Sequence, residues 1–146
     1  MKTNVPERVY VGKEDRRKYS QIKKILGKKF YLADIFSLAM IYGYINNSRI
    51  PLNRKEALFR TVSARDNFYS LMIMLYINET GEFPNDYNDL SEAINIAQEY
   101  ANGGLKLLEN DIYLGEDDLT NNLASEILKF NKNNTFSDIL KDMGIE

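Results

Sequence analysis

The sequence of 146 residues contains no cysteine, no histidine and no tryptophan. The lack of cysteine excludes a disulfide framework, a thiolate zinc site and a cysteine nucleophile. The lack of histidine removes the commonest general base and the commonest transition-metal ligand. An enzyme built on this chain would depend on carboxylate, Lys, Tyr or Ser chemistry, or on Mg²⁺ held by carboxylates. We therefore expect a protein that is not an enzyme and that needs no cofactor and no metal.

Long hydrophobic runs are also missing. The longest apolar stretch, residues 71–77, is interrupted by Tyr76 and is far too short to span a bilayer. Residues 1–6 are polar and no apolar segment of a signal peptide follows them. A chain without disulfides fits the cytoplasm. These features predict a cytoplasmic protein with no membrane contact.

What the chain does contain is core material, because 44% of its residues are hydrophobic, with seven Phe and ten Tyr. Its length suits one domain spanning residues 1–146. Apolar residues recur mainly at helical spacing, which predicts a mainly α fold of five to seven helices with one short N-terminal β-strand. The strand is residues 8–11, stopped by Gly12.

The helices follow from apolar stripes and from capping residues. Residues 13–26 predict a helix ended by Gly27, and 32–45 predict a helix buried on most sides. Residues 54–60 read as one or two helical turns. Further helices are expected at residues 66–78, 89–101, 105–112, 119–130 and 136–143. The pair Gly103-Gly104 is expected to break the helical pattern between two of them.

Charge is sorted by position along the chain. Residues 1–65 hold 15 Lys or Arg against 5 Asp or Glu, whereas residues 66–146 hold 4 against 16. Either the basic half faces a polyanion such as nucleic acid, or the two halves attract each other within one chain or between copies. The candidate nucleic-acid-binding residues are Arg16, Arg17, Lys23, Lys24, Lys28, Lys29, Arg49, Arg54 and Lys55. Tyr10 and Tyr19 flank the first group and are candidates for base stacking, against the commoner role of packing.

Motifs that would indicate a reaction are weak. Ser20 and Lys23 match S-x-x-K without its companion motifs, and the cluster 116–118 and the pair Asp86 and Asp89 do not fit a calcium loop. Both carboxylate groups stand where helices are expected to begin, and Asp is favoured there for capping alone. A carboxylate–Mg²⁺ nuclease stays open only as an alternative from another class.

Several segments together resemble a small prokaryotic family, the DNA-phosphorothioation (Dnd) system-associated protein 4 family. They are the opening R-V-Y-V, the succession 30–43, the segments 51–60 and 66–81, and above all E-Y-A-N-G-G at 99–104. The resemblance covers residues 8–110 and leaves 111–146 as an acidic C-terminal helical extension. We interpret E-Y-A-N-G-G itself as a helix end that turns sharply.

The resemblance implies a non-catalytic accessory subunit of a prokaryotic anti-phage defence complex, linked to DNA modification or to an SMC-like ATPase, and supplies no catalytic residues. In that interpretation the basic half contacts DNA and the acidic half contacts a larger protein subunit. The alternative is a middle subunit that only bridges an SMC-like ATPase and a nuclease effector, without DNA contact. The sequence leaves the oligomeric state open.

Overall fold

The computed structural model describes residues 5–112, and within them the protein is mostly helical. The elements in chain order are β1 (Arg8–Gly12), α1 (Arg16–Leu26), α2 (Leu32–Ile45), β2 (Lys55–Arg60), a 3-10 turn (Thr61–Ser63), α3 (Asp66–Thr80) and α4 (Tyr87–Ile112). The described residues thus hold four α-helices, fewer than the five to seven expected, and two strands in place of one. The helices expected at 119–130 and 136–143, and the carboxylate cluster at 116–118, lie outside the described residues.

The two strands form one antiparallel ribbon. β1 pairs with β2 from Arg8 opposite Arg60 to Gly12 opposite Lys55, with an irregularity between Val9 and Tyr10. The prediction of helical turns at 54–60 is therefore wrong. The helix propensity of Lys, Glu, Ala and Leu is outweighed there by pairing with β1. Without a partner strand, the backbone N–H and C=O groups of β1 would be unpaired.

The predicted bounds of α2 are confirmed, and so is its burial. This helix is buried over nearly its whole length from Ala33 to Ile41, as an apolar pattern on most sides requires. α1 begins at Arg16, three residues later than expected, and buries Tyr19 and Ile22. Gly27 ends α1 with φ +88, a conformation that glycine adopts without steric cost.

The most consequential difference from the sequence prediction is that α4 is one continuous helix of 26 residues. Gly103 and Gly104 do not break it; both are buried in its interior, where α4 crosses α2. A Cβ at Gly104 would stand 1.8 Å from the Ala39 carbonyl oxygen, and one at Gly43 would stand 2.0 Å from that of Tyr100. Glycine on both sides of the crossing lets the two backbones touch, which offsets its cost of about 1 kcal/mol per residue in a helix.

The core lies between the sheet and α1 to α4. Val9 and Val11 point inward from β1 by strand alternation, with exposed fractions of 0% and 4%. At the centre three phenylalanines, Phe36, Phe59 and Phe68, meet edge to face with ring centroids 5.4 to 5.9 Å apart. The core therefore ties together α2, β2 and α3 and fixes where their ends lie.

α2 and α3 run in roughly the same direction. Their N-terminal ends meet through Arg65, whose Nε lies 3.6 Å from Asp34 Oδ1. Their C-terminal ends both line one surface cleft, through Tyr44 and Glu79. With 14 residues in α2, the two ends of this helix pair lie about 21 Å apart.

Candidate nucleic-acid interface

The exposed face of α1 carries cations that the fold leaves in solvent. Arg17 and Lys24 are seven residues apart, so they lie within about 20° of each other on the helix. This direction is opposite to that of the buried Tyr19 and Ile22. Both are exposed, and neither has an ion-pair partner within residues 5–112. The amphipathic pattern of α1 thus determines which of its cations face outward.

Lys28 and Lys29 extend this face past the end of α1. Both are exposed and follow Gly27, where the left-handed φ ends the helix. Their ammonium groups also have no ion-pair partner among the residues that the structure describes. We call Arg17, Lys24, Lys28 and Lys29 the basic surface.

Arg16 and Lys23 occupy the flank of α1 and are half-buried. Arg16 donates from Nε to the Ala57 carbonyl oxygen of β2 at 3.2 Å and from a terminal nitrogen to Ser20 Oγ at 2.6 Å. Lys23 donates to the Phe30 carbonyl oxygen at 3.0 Å. These two cations therefore hold α1 against its neighbours, although each keeps its charge close to the basic surface.

Arg49 does not belong to the basic surface. It lies at the end of α2, where it pairs with Glu99 at 2.7 Å and Glu79 at 3.3 Å and stacks over the Tyr100 ring at 5.9 Å. Arg54 and Lys55 lie instead beside the start of α1, because the Lys13 backbone N–H donates to the Arg54 carbonyl. Both are exposed and without an ion pair inside the described region. Six of the nine predicted residues are therefore exposed cations without an ion pair among the described residues. The other three, Arg16, Lys23 and Arg49, are held by hydrogen bonds or ion pairs.

The expected attraction between the two halves is seen for part of the charge. Lys18, from the basic half, pairs with Glu109 of α4 at 2.8 Å and with Asp15 at 3.4 Å. The hydrogen bond with Glu109 raises the pKa of Lys18 above its usual value. Lys106 of α4 reaches back toward Asp15 at 4.0 Å. The halves close on each other at α4, while the outer face of α1 is left unneutralised by any described carboxylate.

The proposed stacking residues behave differently from each other. Tyr19 is 1% exposed, so it packs in the core and cannot stack on a base. Burial raises the pKa of its hydroxyl. Tyr10 is 36% exposed on β1, and its backbone N–H donates to Gln98 Oε1 of α4 at 2.8 Å.

The sequence did not single out Tyr31 and Arg65 as candidate site residues, although both lie near Lys28 and Lys29 of the basic surface. The Arg65 guanidinium lies 4.6 Å from the centroid of the Tyr31 ring. Thirty-four positions separate them in the chain, and only the packing of α3 against α2 brings them together. The one available signal was composition, since Tyr31 follows directly on Lys28, Lys29 and Phe30.

The other motifs have structural roles. Asp86 Oδ1 accepts from the Asp89 backbone N–H at 2.9 Å, and Asp89 Oδ2 accepts from the Asn85 backbone N–H at 2.9 Å. They cap α4, as the capping interpretation predicted. Ser20 accepts from Arg16 and donates back to its carbonyl, and so is held on α1. Within residues 5–112 no group of three or more carboxylates could hold a metal ion.

A second surface feature lies at the other end of α2 and α3. It is a cleft of about 660 Å³ lined by Tyr44, Ile45, Asn47, Asn78, Glu79 and Tyr100. Ile45 is 64% exposed at its edge, and the Tyr100 hydroxyl donates to Glu79 across it. Burial raises the pKa of Tyr100. This surface combines apolar and polar groups, with Glu79 paired to Arg49, whereas the basic surface carries only cations.

Comparison with known proteins confirms the family resemblance and extends it beyond residue 110, where the sequence analysis had ended it. The model of a family described as DNA sulphur modification system-associated protein 4 matches residues 8–142. Neither the curated proteins nor the solved structures include a match to this chain. In the described part of the chain, no helix has the length and apolar character that a membrane span requires.

Proposed function

The chain belongs to the family of DNA sulphur modification system-associated protein 4, and on that premise we propose that it is a non-catalytic accessory subunit that contacts DNA within a prokaryotic defence complex. The DNA contact would be made by the basic surface on α1, together with Arg54 and Lys55. A larger protein subunit, for which an SMC-like ATPase is our candidate, would bind elsewhere on the molecule.

The observation that carries this proposal is that some cations of the basic half are paired with carboxylates and others are not. Lys18 and Arg49 are neutralised by carboxylates of α3 and α4, whereas the basic surface has no described carboxylate partner. Exposed, unpaired cations on one helix face are what a phosphate backbone attracts, and each phosphate contact releases counterions. With four such contacts the logarithm of the binding constant should fall with the logarithm of salt concentration with a slope of roughly −4.

The experiment is duplex binding by the full chain, measured by fluorescence anisotropy over a salt series. The test variant is Arg17→Gln with Lys24→Gln, which removes two charges from the basic surface. We expect weaker binding and a salt slope reduced by about 2. The matched control, Asn88→Glu with Ser91→Glu, changes net charge equally on exposed positions of α4 and should leave the slope unchanged. Equal effects of both pairs, or no duplex binding at low salt, would contradict a DNA contact at α1.

A subunit that only bridges two proteins is the second candidate, and the cleft at the far end of α2 favours it. An exposed Ile45 beside Glu79 offers the mixed apolar and polar surface that protein interfaces use. If the chain only bridges proteins, Ile45→Glu should abolish pull-down of the proteins encoded by neighbouring genes, and the unchanged chain should bind no duplex. Loss of that pull-down in the Arg17→Gln and Lys24→Gln variant instead would assign α1 to a protein partner. A nuclease gains no support from residues 5–112, where Asp86 and Asp89 cap a helix.

A further inference from the structure

Tyr31 is an aromatic side chain held in solvent by a rigid backbone. It is 49% exposed and precedes the first residue of α2. Its backbone N–H donates to Asp34 Oδ2 at 2.8 Å, while its carbonyl accepts from the Asp34 N–H at 3.0 Å. These reciprocal hydrogen bonds fix the backbone from which the ring projects, so the ring is presented by the fold and not by a loose loop.

Arg65 holds the ring from one side. Its guanidinium lies 4.6 Å from the centroid of Tyr31, and it is itself anchored by Asp34 at 3.6 Å and by the Lys29 carbonyl oxygen at 3.4 Å. An arginine stacked on an aromatic face contributes a cation–π attraction. About half of Tyr31 stays exposed although Arg65 lies over its ring, so part of this residue remains accessible to a ligand.

The surroundings of Tyr31 are cationic. Lys28 and Lys29 lie just before it, and Lys23 is bound to the carbonyl of the residue preceding it. The N-terminal ends of α2 and α3 also meet here, and each contributes partial positive charge. The carboxylates at this end are Asp34, which is paired with Arg65, and Asp66 in the first turn of α3.

Other large exposed aromatic residues lie in different settings. Tyr87, 54% exposed, stands between Asp86 and Asp89 at the start of α4, and Phe83, 58% exposed, follows Glu82. Anionic neighbours would repel a nucleic acid from both. Tyr10, 36% exposed on β1, has no arginine stacked on its ring among the described residues. Within residues 5–112, Tyr31 is therefore the large exposed aromatic that has both a stacked arginine and adjacent free lysines.

We propose that Tyr31, backed by Arg65, is a stacking site for an unpaired base of single-stranded or locally opened DNA, whose flanking phosphates bind Lys28 and Lys29. Stacking on an aromatic ring tolerates every base, whereas an intact duplex keeps its base faces covered. This inference rests on the proposed DNA contact and adds to it the kind of DNA that is bound. Arg65 acts as a positioning residue that keeps the ring in place.

The test compares a single-stranded oligonucleotide with its duplex in anisotropy titrations of the full chain. We expect Tyr31→Leu to weaken single-strand binding about tenfold, which corresponds to the loss of one stacked base, and to leave duplex binding within about twofold. Tyr31→Phe keeps the ring and should bind as the unchanged chain does. Tyr87→Leu, the matched control at an acidic position, should change neither affinity.

A second measurement needs no variant and guards against misfolding of Tyr31→Leu. Ultraviolet cross-linking of the unchanged chain to an oligonucleotide containing 5-iodouracil should attach the base to Tyr31, as located by mass spectrometry. Cross-links confined to other residues would overturn the proposal, as would equal losses for single strand and duplex. If the Arg17→Gln and Lys24→Gln variant weakens duplex binding while Tyr31→Leu changes neither affinity, only the stacking proposal is refuted and the DNA contact stands. If neither form of DNA binds at low salt, both proposals fail.

Discussion

Replacing Gly104 with alanine tests the central helix crossing, because this residue lets α4 lie directly on the backbone of α2. An alanine Cβ would stand 1.8 Å from the Ala39 carbonyl oxygen and 2.6 Å from the Gly43 nitrogen. An ordinary carbon–oxygen contact is about 3.5 Å, so the two helices would have to part by roughly 1.5 Å. Backbone atoms of a buried helix cannot turn aside as a side chain can.

Two opposing effects set the size of the change. Alanine is the better helix former and raises the free energy of unfolding by about 1 kcal/mol. Moving the helices apart loses dispersion contacts between α2 and α4, the most extensive helix pair in the described structure. Overpacking of this kind typically lowers the free energy of unfolding by about 1–3 kcal/mol, and by more at rigid sites. Since the obstruction here is backbone on both sides, we expect a net loss of about 3 kcal/mol. The corresponding fall in Tm is about 10 °C.

Chemical denaturation followed by circular dichroism gives the free energy of unfolding. Asn110→Ala, at an exposed position of the same helix, controls for helix propensity and should stay within about 0.5 kcal/mol of the unchanged chain. Gly103→Ala should cost less than Gly104→Ala, because its Cβ would meet Ser48 at 2.1 Å in a loop that can yield. If Gly104→Ala were as stable as the unchanged chain, or more stable, the close crossing of α2 and α4 would be refuted.

Two further predictions concern the contact between α1 and α4. The buried Tyr19 hydroxyl has no hydrogen-bond partner among the described residues, so Tyr19→Phe should raise the free energy of unfolding by about 1 kcal/mol; a loss of that size in denaturation would reveal a partner for the hydroxyl. The pKa of Lys18 is raised by Glu109, so its ion pair contributes fully below the usual value of 10.5 and is lost as the pH rises through the folded-state pKa. A Lys18→Met variant should therefore lose the stability difference from the unchanged chain in alkaline solution, and a difference that persists there would contradict the ion pair.

The sequence was most informative where one local signal decided the outcome. The bounds of α2 follow from an apolar segment between polar connections, and the end of α1 follows from Gly27. Residues 54–60 were misassigned because helix propensity is a weak preference that a partner strand overrides. That partner, β1, lies more than forty positions away. The pair Gly103-Gly104 was misread because glycine marks both helix ends and close helix crossings.

The candidate site was only partly predictable for the same reason. Counting charges indicated the basic half as the candidate site, but it could not tell Arg17, which stays in solvent, from Arg49, which Glu79 and Glu99 neutralise from α3 and α4. Helical phase separates Arg17 from Arg16 and could have been used to rank them. The pairing of Tyr31 with Arg65 depends on tertiary packing and had no counterpart in any local pattern.

Residues 99–104, the segment on which the sequence resemblance most depended, have a structural role. The Glu99 carbonyl accepts from the Ile50 N–H at 3.0 Å, and Asn102 Nδ2 donates to the Ile50 carbonyl at 3.0 Å. Gly104 meanwhile lies on the backbone of α2. This segment therefore fixes α4 against α2 and against the connection to β2. The length of α2 separates its cationic N-terminal end from the cleft at its other end by about 21 Å, and the crossing holds α4 against this helix. In the proposed function, DNA would lie near the cationic end and a protein near the cleft, so the two contacts would be held apart by α2.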